Sequence, residues 1–251
     1  MLKPVTNFYV LPEDVEVDSL IIRGDEARHL LKVCRGRPGE VIRASDGLGK
    51  KYVAVIREIK PDAARCEIAQ ISRNENEPVV KITLAQGLPQ GLKMDYIIEK
   101  TTELGVHTIQ PVYCKNSLSE RSKPAVLTRK QKRWQRLAIA AFKQSLRSHL
   151  PIVELPIEFK DLVDRAVEFD LALIASPDKG SVPLHSAIKK RQDLSRVLLL
   201  VGPEAGFTEE ERESAISSGF VPVSLGPRRL RTETAAQIIS ALVLYELGEL
   251  Q

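Results

Sequence analysis

The chain has 251 residues, 43% of them hydrophobic and 28% charged, with a formal net charge of +4. This is the composition of an ordinary globular protein, long enough for one large domain or two. No apolar run approaches the ~20 residues a membrane-spanning helix needs, and the start, MLKPVTNFYVLPED, lacks the basic-then-apolar pattern of a secretory leader.

Along residues 1–72 the pattern predicts a small β-rich unit, read as a barrel. EVIRAS (40–45), KYVAVIREI (51–59) and ARCEIAQI (64–71) alternate apolar and polar residues with a period near two. Arg37-Pro38-Gly39, Asp46-Gly47 and Pro61-Asp62 supply the turns between them, and DEARHLLKV reads as one short helix. SRNENEP (72–78) reads as a linker, leaving 79–251 as a second domain. There strand-like and helical stretches alternate. VVKITLAQ is followed by the helix LKMDYIIEKTTELG, stopped at Gly105, and VHTIQPVYC returns to strand. Residues 127–150 read as a long helix with Trp134, Leu137, Ala138, Ala141, Phe142 and Ser145 inward. Strand 170–176, helix 182–191, strand 196–202, helix 208–218, strand 221–226 and helix 234–248 complete the series. The expectation is an α/β domain with a mainly parallel sheet covered on both faces.

Charge is unevenly distributed. Residues 121–153 hold no Asp or Glu but nine Lys or Arg: Arg121, Lys123, Arg129, Lys130, Lys132, Arg133, Arg136, Lys143 and Arg147. A second acid-free stretch, 27–39, carries Arg28, Lys32, Arg35 and Arg37. Two such blocks in a nearly balanced chain predict a positive face and a polyanionic partner. Cys34, Cys66 and Cys114 are widely spaced, which argues against a disulfide framework and for a reducing cytoplasm. His29, His107, His149 and His185 show no metal spacing and read as structural or surface residues, His149 as a partner of a helix end.

Ligands of parallel α/β sheets bind beyond the carboxyl ends of the strands, and two loops there begin with Gly-Pro: VGPEAGF (201–207) and LGPRRLRTET (225–234). Neither a G-x-G-x-x-G after the first strand of the α/β region nor a P-loop is present. Glu204 would repel a phosphate, and Thr208 with Glu209, Glu210 and Glu211 already caps the next helix, so a neutral or cationic ligand fits better. Thr234 and Gln237 read as a capping pair for the last helix, while Arg231 points at whatever fills the cleft. From these residues, an enzyme of a nucleoside-phosphate-binding α/β class and a non-catalytic RNA-binding ribosome assembly factor both remain open.

LLLVGPEAGFTEEE followed by VSLGPRRLRTETAA closely resembles the paired motifs of the RsmE family, knotted SPOUT-class enzymes that methylate N3 of a uridine in small-subunit (16S) ribosomal RNA with S-adenosylmethionine. The likeness extends to GLKMDYIIEKTTELGVHTIQPV (91–112), KRWQRLAIAAFKQSLRSHLP (132–151) and HLLKVCRGRPGEVIRASDG (29–47). It implies a PUA-like β-barrel for RNA, an α/β trefoil-knot domain, and a cytoplasmic homodimer whose active site lies at the interface and whose substrate is ribosomal RNA or the 30S subunit. It also places the methyl donor against Leu200, Val201, Gly202, Pro203, Glu204, Gly206, Leu225, Gly226, Leu230, Arg231 and Thr232. Arg231 and Glu233 become the catalytic candidates, and Arg28, Lys32, Arg35, Arg37, Arg129, Lys132, Arg133, Arg136, Lys143 and Arg147 the RNA contacts. Ala205 stands where the family usually has glycine, which a β-carbon permits only if φ there is negative.

Overall fold

The alternating stretches form β1 (Asn7–Tyr9), β2 (Ser19–Arg23), β3 (Val41–Ser45), β4 (Lys50–Lys60) and β5 (Ala63–Arg73), paired in the order β1–β3–β4–β5–β2. The computed structural model describes residues 7–117, 123–178, 180–189, 191 and 193–250. Arg121 therefore lies outside the described residues. One compact unit comprises Met1–Glu77 with Ile139–Leu150, the other Pro78–Ala138 with Pro151–Gln251.

In the first unit the inward side of each strand makes the core: Phe8, Leu20, Ile22, Ala44, Ala54, Ile56 and Cys66 are all buried. Register shifts at Val53/Ala54 and Ile56/Glu58 bend the β4–β5 pair. DEARHLLKV is helical as expected, in two pieces: α1 (Gly24–Arg28) runs into a wider π turn over His29–Val33, and Ala27 and Leu30 pack onto the sheet. The stretch read as a linker is held in place. Asn76 Nδ2 donates to the Leu146 carbonyl at 3.0 Å, and the Glu77 carboxylate accepts from Arg147 Nη2 (2.7 Å), Ser148 N (2.7 Å) and His149 N (2.9 Å).

That contact corrects the long helix. α3 spans Pro124–Gln144, not 127–150. Leu146 takes a left-handed φ of 56°, and the Arg147 N–H turns back to the Phe142 carbonyl at 3.2 Å, closing a Schellman-type end. The helical spacing of apolar residues runs on past this point, but Glu77 satisfies the backbone of 148 and 149 instead. His149 consequently lies beyond the helix end, its Nε2 2.9 Å from Asn74 Oδ1.

The second unit carries β6 (Lys81–Gly87), α2 (Lys93–Leu104), β7 (Thr108–Tyr113), β8 (Ile152–Val153), β9 (Ile157–Glu158) and α4 (Phe159–Asp164). β10 (Leu171–Ala175), β11 (Val182–Pro183), α5 (Leu184–Ile188), β12 (Arg196–Val201), α6 (Glu209–Ser217), β13 (Val221–Ser224) and α7 (Thr232–Glu246) follow. Seven strands pair in the order β11–β13–β10–β12–β6–β7–β8, with β9 also on β7, and every pairing is parallel. The parallel sheet is thus as predicted. β6 and β12 are buried throughout most of their length, which explains why they read as continuous apolar runs. Helix α2 ends at Gly105 (φ 104°) as expected. Sequence reading missed α4 and the two-residue strands, which are too short for a period to register. No helix among the described residues is long and apolar enough to cross a membrane.

The order places β10 between β13 and β12, so three strand ends meet at one edge.

Candidate active site

The first Gly-Pro loop is a β-turn. Gly206 N donates to the Pro203 carbonyl at 2.9 Å, with Glu204 and Ala205 at the centre. The left-handed φ falls on Gly206 (73°); Ala205 is exposed and is not among the residues with positive φ, so its methyl is accommodated without strain. Gly202 allows the turn to fold back, since a β-carbon there would sit 3.2 Å from Gly206 Cα and from the Phe207 ring. Gly87, at the end of β6, backs the loop more tightly still: a β-carbon would meet Pro203 Cδ at 2.6 Å and Pro203 N at 2.7 Å.

The second loop is joined to the first by a buried hydrogen-bonded seam. Gln86 Nε2 donates to Thr232 Oγ1 at 2.9 Å and to the Gly202 carbonyl at 3.3 Å, and the Thr232 hydroxyl donates to that same carbonyl at 2.6 Å. Thr232 is the first residue of α7 and Arg231 its N-cap, extended at φ −68° and ψ 153° with no side-chain cap. The capping pair Thr234–Gln237 is therefore corrected: Gln237 Nε2 donates to the Glu233 carbonyl within the helix. Gly226 (φ 105°) turns the chain after β13, and Arg231 is exposed beyond it.

Glu204 faces inward across the turn. Its Oε1 accepts from Lys93 Nζ at 2.6 Å and from Gln90 N at 3.0 Å, tying the start of α2 to the loop. Burial pulls this carboxyl up, but the Lys93 ammonium and the backbone N–H groups of Glu204 and Gln90 outweigh it and hold the group below its usual range. The acidic start of α6 is consumed internally. Glu211 forms a capping box with Thr208 and also accepts from Lys115 N at 2.7 Å, while Glu209 pairs with Arg212 and Glu210 with Lys115. The helix start is thus capped by Thr208 and its acidic turn as expected, and the three carboxylates supply little free negative field to the loop. Beneath them, burial and then the Glu211 carboxylate push the Cys114 thiol far above its ordinary range, leaving it unreactive packing.

What favours a donor-rich ligand is a different feature. Gln86 Oε1, Glu204 Oε2 and Glu233 Oε2 are buried acceptors without a hydrogen-bond partner among the described residues. They belong to the three segments that converge here, and a ligand carrying N–H, O–H or positive charge complements them where a phosphate would not.

Most of the expected cofactor residues come together in these two loops. Leu200 and Val201 do so by backbone only, because their side chains are buried in β12. Leu225 and Leu230 are half-buried beside Gly226. Sequence reading missed Gln86, Gly87 and Lys93, although a polar Gln closing an apolar strand before Gly-Leu-Pro-Gln-Gly carried a signal. It also missed Ser176, buried at the end of β10, where its N–H donates to the Val223 carbonyl at 3.0 Å.

The basic candidates divide. In the first unit Arg28, Lys32, Arg35 and Arg37 are exposed, with Arg28 paired to Asp25. In the second, Arg129, Lys132, Arg133 and Arg136 are exposed along α3, with Arg133 paired to Asp95. Lys143 is half-buried against Glu26 at 2.6 Å. Arg147 is 2% exposed and its charge is neutralised by Glu77, so it is withdrawn from any RNA surface.

Residues 75–244 match the RNA methyltransferase domain family and residues 22–75 the RNA methyltransferase PUA domain. The chain is 32% identical over 235 residues to ribosomal RNA small subunit methyltransferase E of Bacillus subtilis, covering 92% of this chain and 91% of that one. The Aquifex aeolicus enzyme of the same name is 32% identical over 228 residues, with 90% and 93% covered. A crystal structure of ribosomal RNA small subunit methyltransferase E from Neisseria gonorrhoeae, bound to S-adenosyl methionine, superposes with a TM-score of 0.85 at 32% identity, over 96% of this chain and 97% of that one. The chain belongs to the RsmE family of RNA methyltransferases, a PUA-like β domain followed by an α/β domain of the knotted SPOUT type.

Proposed function

We propose that the chain methylates N3 of one uridine in small-subunit ribosomal RNA, with S-adenosylmethionine as donor, as a cytoplasmic homodimer. The observation that carries the reading is the Gln86–Thr232–Gly202 seam, which joins two Gly-Pro loops around unpaired acceptors in a chain of this family. Those acceptors match the ammonium, ribose hydroxyls and adenine amine of such a donor, and the glycine turns allow close backbone approach. Bound there, S-adenosylmethionine supplies a methyl group on a positively charged sulfur.

The residues of this chain then have three tasks. The two loops fix the line of attack. Arg231, exposed at the turn into α7, stabilises the negative charge that grows on the uracil imide as N3 reacts, or the adjacent phosphate. Glu233, with its unpaired Oε2, is our candidate for accepting the N3 proton. N3 lies on the Watson–Crick edge, so the uridine must be unpaired or extruded first. We assign the region up to residue 72 to RNA binding and 79–251 to catalysis, with 73–78 between them. The homodimer is supported by α7, which leaves Ile238, Leu242 and Tyr245 exposed at helical spacing.

Labelled methyl transfer to isolated 30S subunits and to naked 16S RNA tests the reading. Transfer is expected to one of them, falling about 10²-fold or more in Arg231→Ala. Absence of transfer to both substrates would refute it.

A further inference from the structure

A second hollow lies in the same unit, a cavity of about 120 Å³ between the 88–94 turn and the inner side of α3. Tyr113 and Trp134 line it, 9% and 6% exposed, with Leu127 on the wall and Asp95, Lys130 and Arg133 also bordering it. Its wall is continuous with the cofactor loop. The 88–94 turn contributes the two donors that hold Glu204, Gln90 N and Lys93 Nζ, and Gly87 immediately before it stands against Pro203. The two cations come from α3, whose exposed side carries Arg129, Lys132 and Arg136.

A hollow walled by two aromatic rings, beside the basic side of a helix, has the chemistry of a site for an unstacked base. The rings offer a face for stacking, and the exposed Arg129, Lys132 and Arg136 of the same helix supply positive charge for the flanking phosphates. We propose that this cavity receives the extruded base of the RNA substrate, with Tyr113 and Trp134 as its stacking surface. The proposal rests on the methyltransferase reading for its substrate, and it adds where the base goes.

Trp134 is the single tryptophan of the chain, so the intact protein reports on its own cavity. A short single-stranded RNA with one uridine is expected to quench Trp134 emission by about half at saturation, while the same RNA with an abasic ribose at that place binds without quenching. Equal emission with both RNAs would overturn the proposal. Leu127→Phe narrows the slot away from the cofactor loops. It is expected to raise the KM for 30S or RNA at least tenfold and to leave S-adenosylmethionine affinity, read by calorimetry, unchanged. A wild-type KM in this variant would also overturn the base site, while leaving the methyltransferase reading intact. Failure of the unaltered protein to transfer methyl would instead remove that reading, with base-dependent quenching still deciding the cavity.

Discussion

At the scale of single residues, the decisive positions are the ones where a β-carbon or a charge has no room to differ. Ala205 and Gly87 bear on the same turn and should respond unequally to substitution. Ala205→Gly removes an exposed methyl from a position without positive φ, so stability should fall only by the ~0.4–1 kcal/mol of added chain entropy, with cofactor affinity unchanged. Gly87→Ala forces a contact of 2.6 Å with Pro203, and overpacking of that kind costs about 1–3 kcal/mol. Thermal unfolding and calorimetry on the two variants check the pair, and a cofactor loss in Ala205→Gly would show that the turn is misread.

Glu204 gives a pH-dependent prediction. Its folded-state pKa is depressed below the ordinary 4.5, so its contribution is fully present above that value and is lost as pH falls through the lowered one. With the side chain 24% exposed, about 1.5 kcal/mol is expected, the lower end for a hydrogen bond to a charged group. Denaturant titrations of wild type and Glu204→Gln should differ by a constant amount at neutral pH and converge in acid below 4.5. A difference that grew in acid would mean that the Lys93 contact does not hold the carboxylate.

Among the elements, those legible in the sequence were the ones whose periodicity or punctuation was local. The β4–β5 pair has period two, α2 has its stop at Gly105, and α6 has the Thr208–Glu211 box, each visible within a dozen residues. What was not legible depended on a partner far along the chain. α3 ends at Gln144 because of Glu77, and α7 begins at Thr232 because of Gln86 and Gly202, 146 and 30 residues away. The two Gly-Pro loops were legible as a site, but the third segment that joins them was not, because Gln86 closes what reads as an ordinary strand. Gln86→Ala should therefore weaken both loops together: about 1–3 kcal/mol of stability for the buried acceptors left unpaired, and a loss of cofactor affinity of about tenfold or more. Calorimetry beside a melting curve checks it, and wild-type affinity would show the seam to be dispensable.

For the whole molecule, the basic composition is real but not uniform in use. Arg129, Lys132 and Arg136 are exposed, whereas Arg147 is spent on Glu77. If the exposed set contacts RNA phosphates, replacing those three by alanine should flatten the slope of log affinity against log salt by about 2, at ~0.7 for each phosphate contact on a single strand. Arg147→Ala should leave the slope alone and cost about 3–5 kcal/mol of stability, since it strands a buried carboxylate. A steep loss of salt dependence in folded Arg147→Ala would reverse the assignment.

The fold and the family make the chain an RNA methyltransferase, and the product proposed for it is chemically specific. Mass-spectrometric mapping of 16S RNA after incubation of 30S subunits with the protein and isotopically labelled S-adenosylmethionine tests it most directly. The account predicts one labelled nucleoside, a uridine methylated at N3, absent when Arg231→Ala replaces the wild type. A label on carbon or ribose oxygen, or on another base, would contradict it.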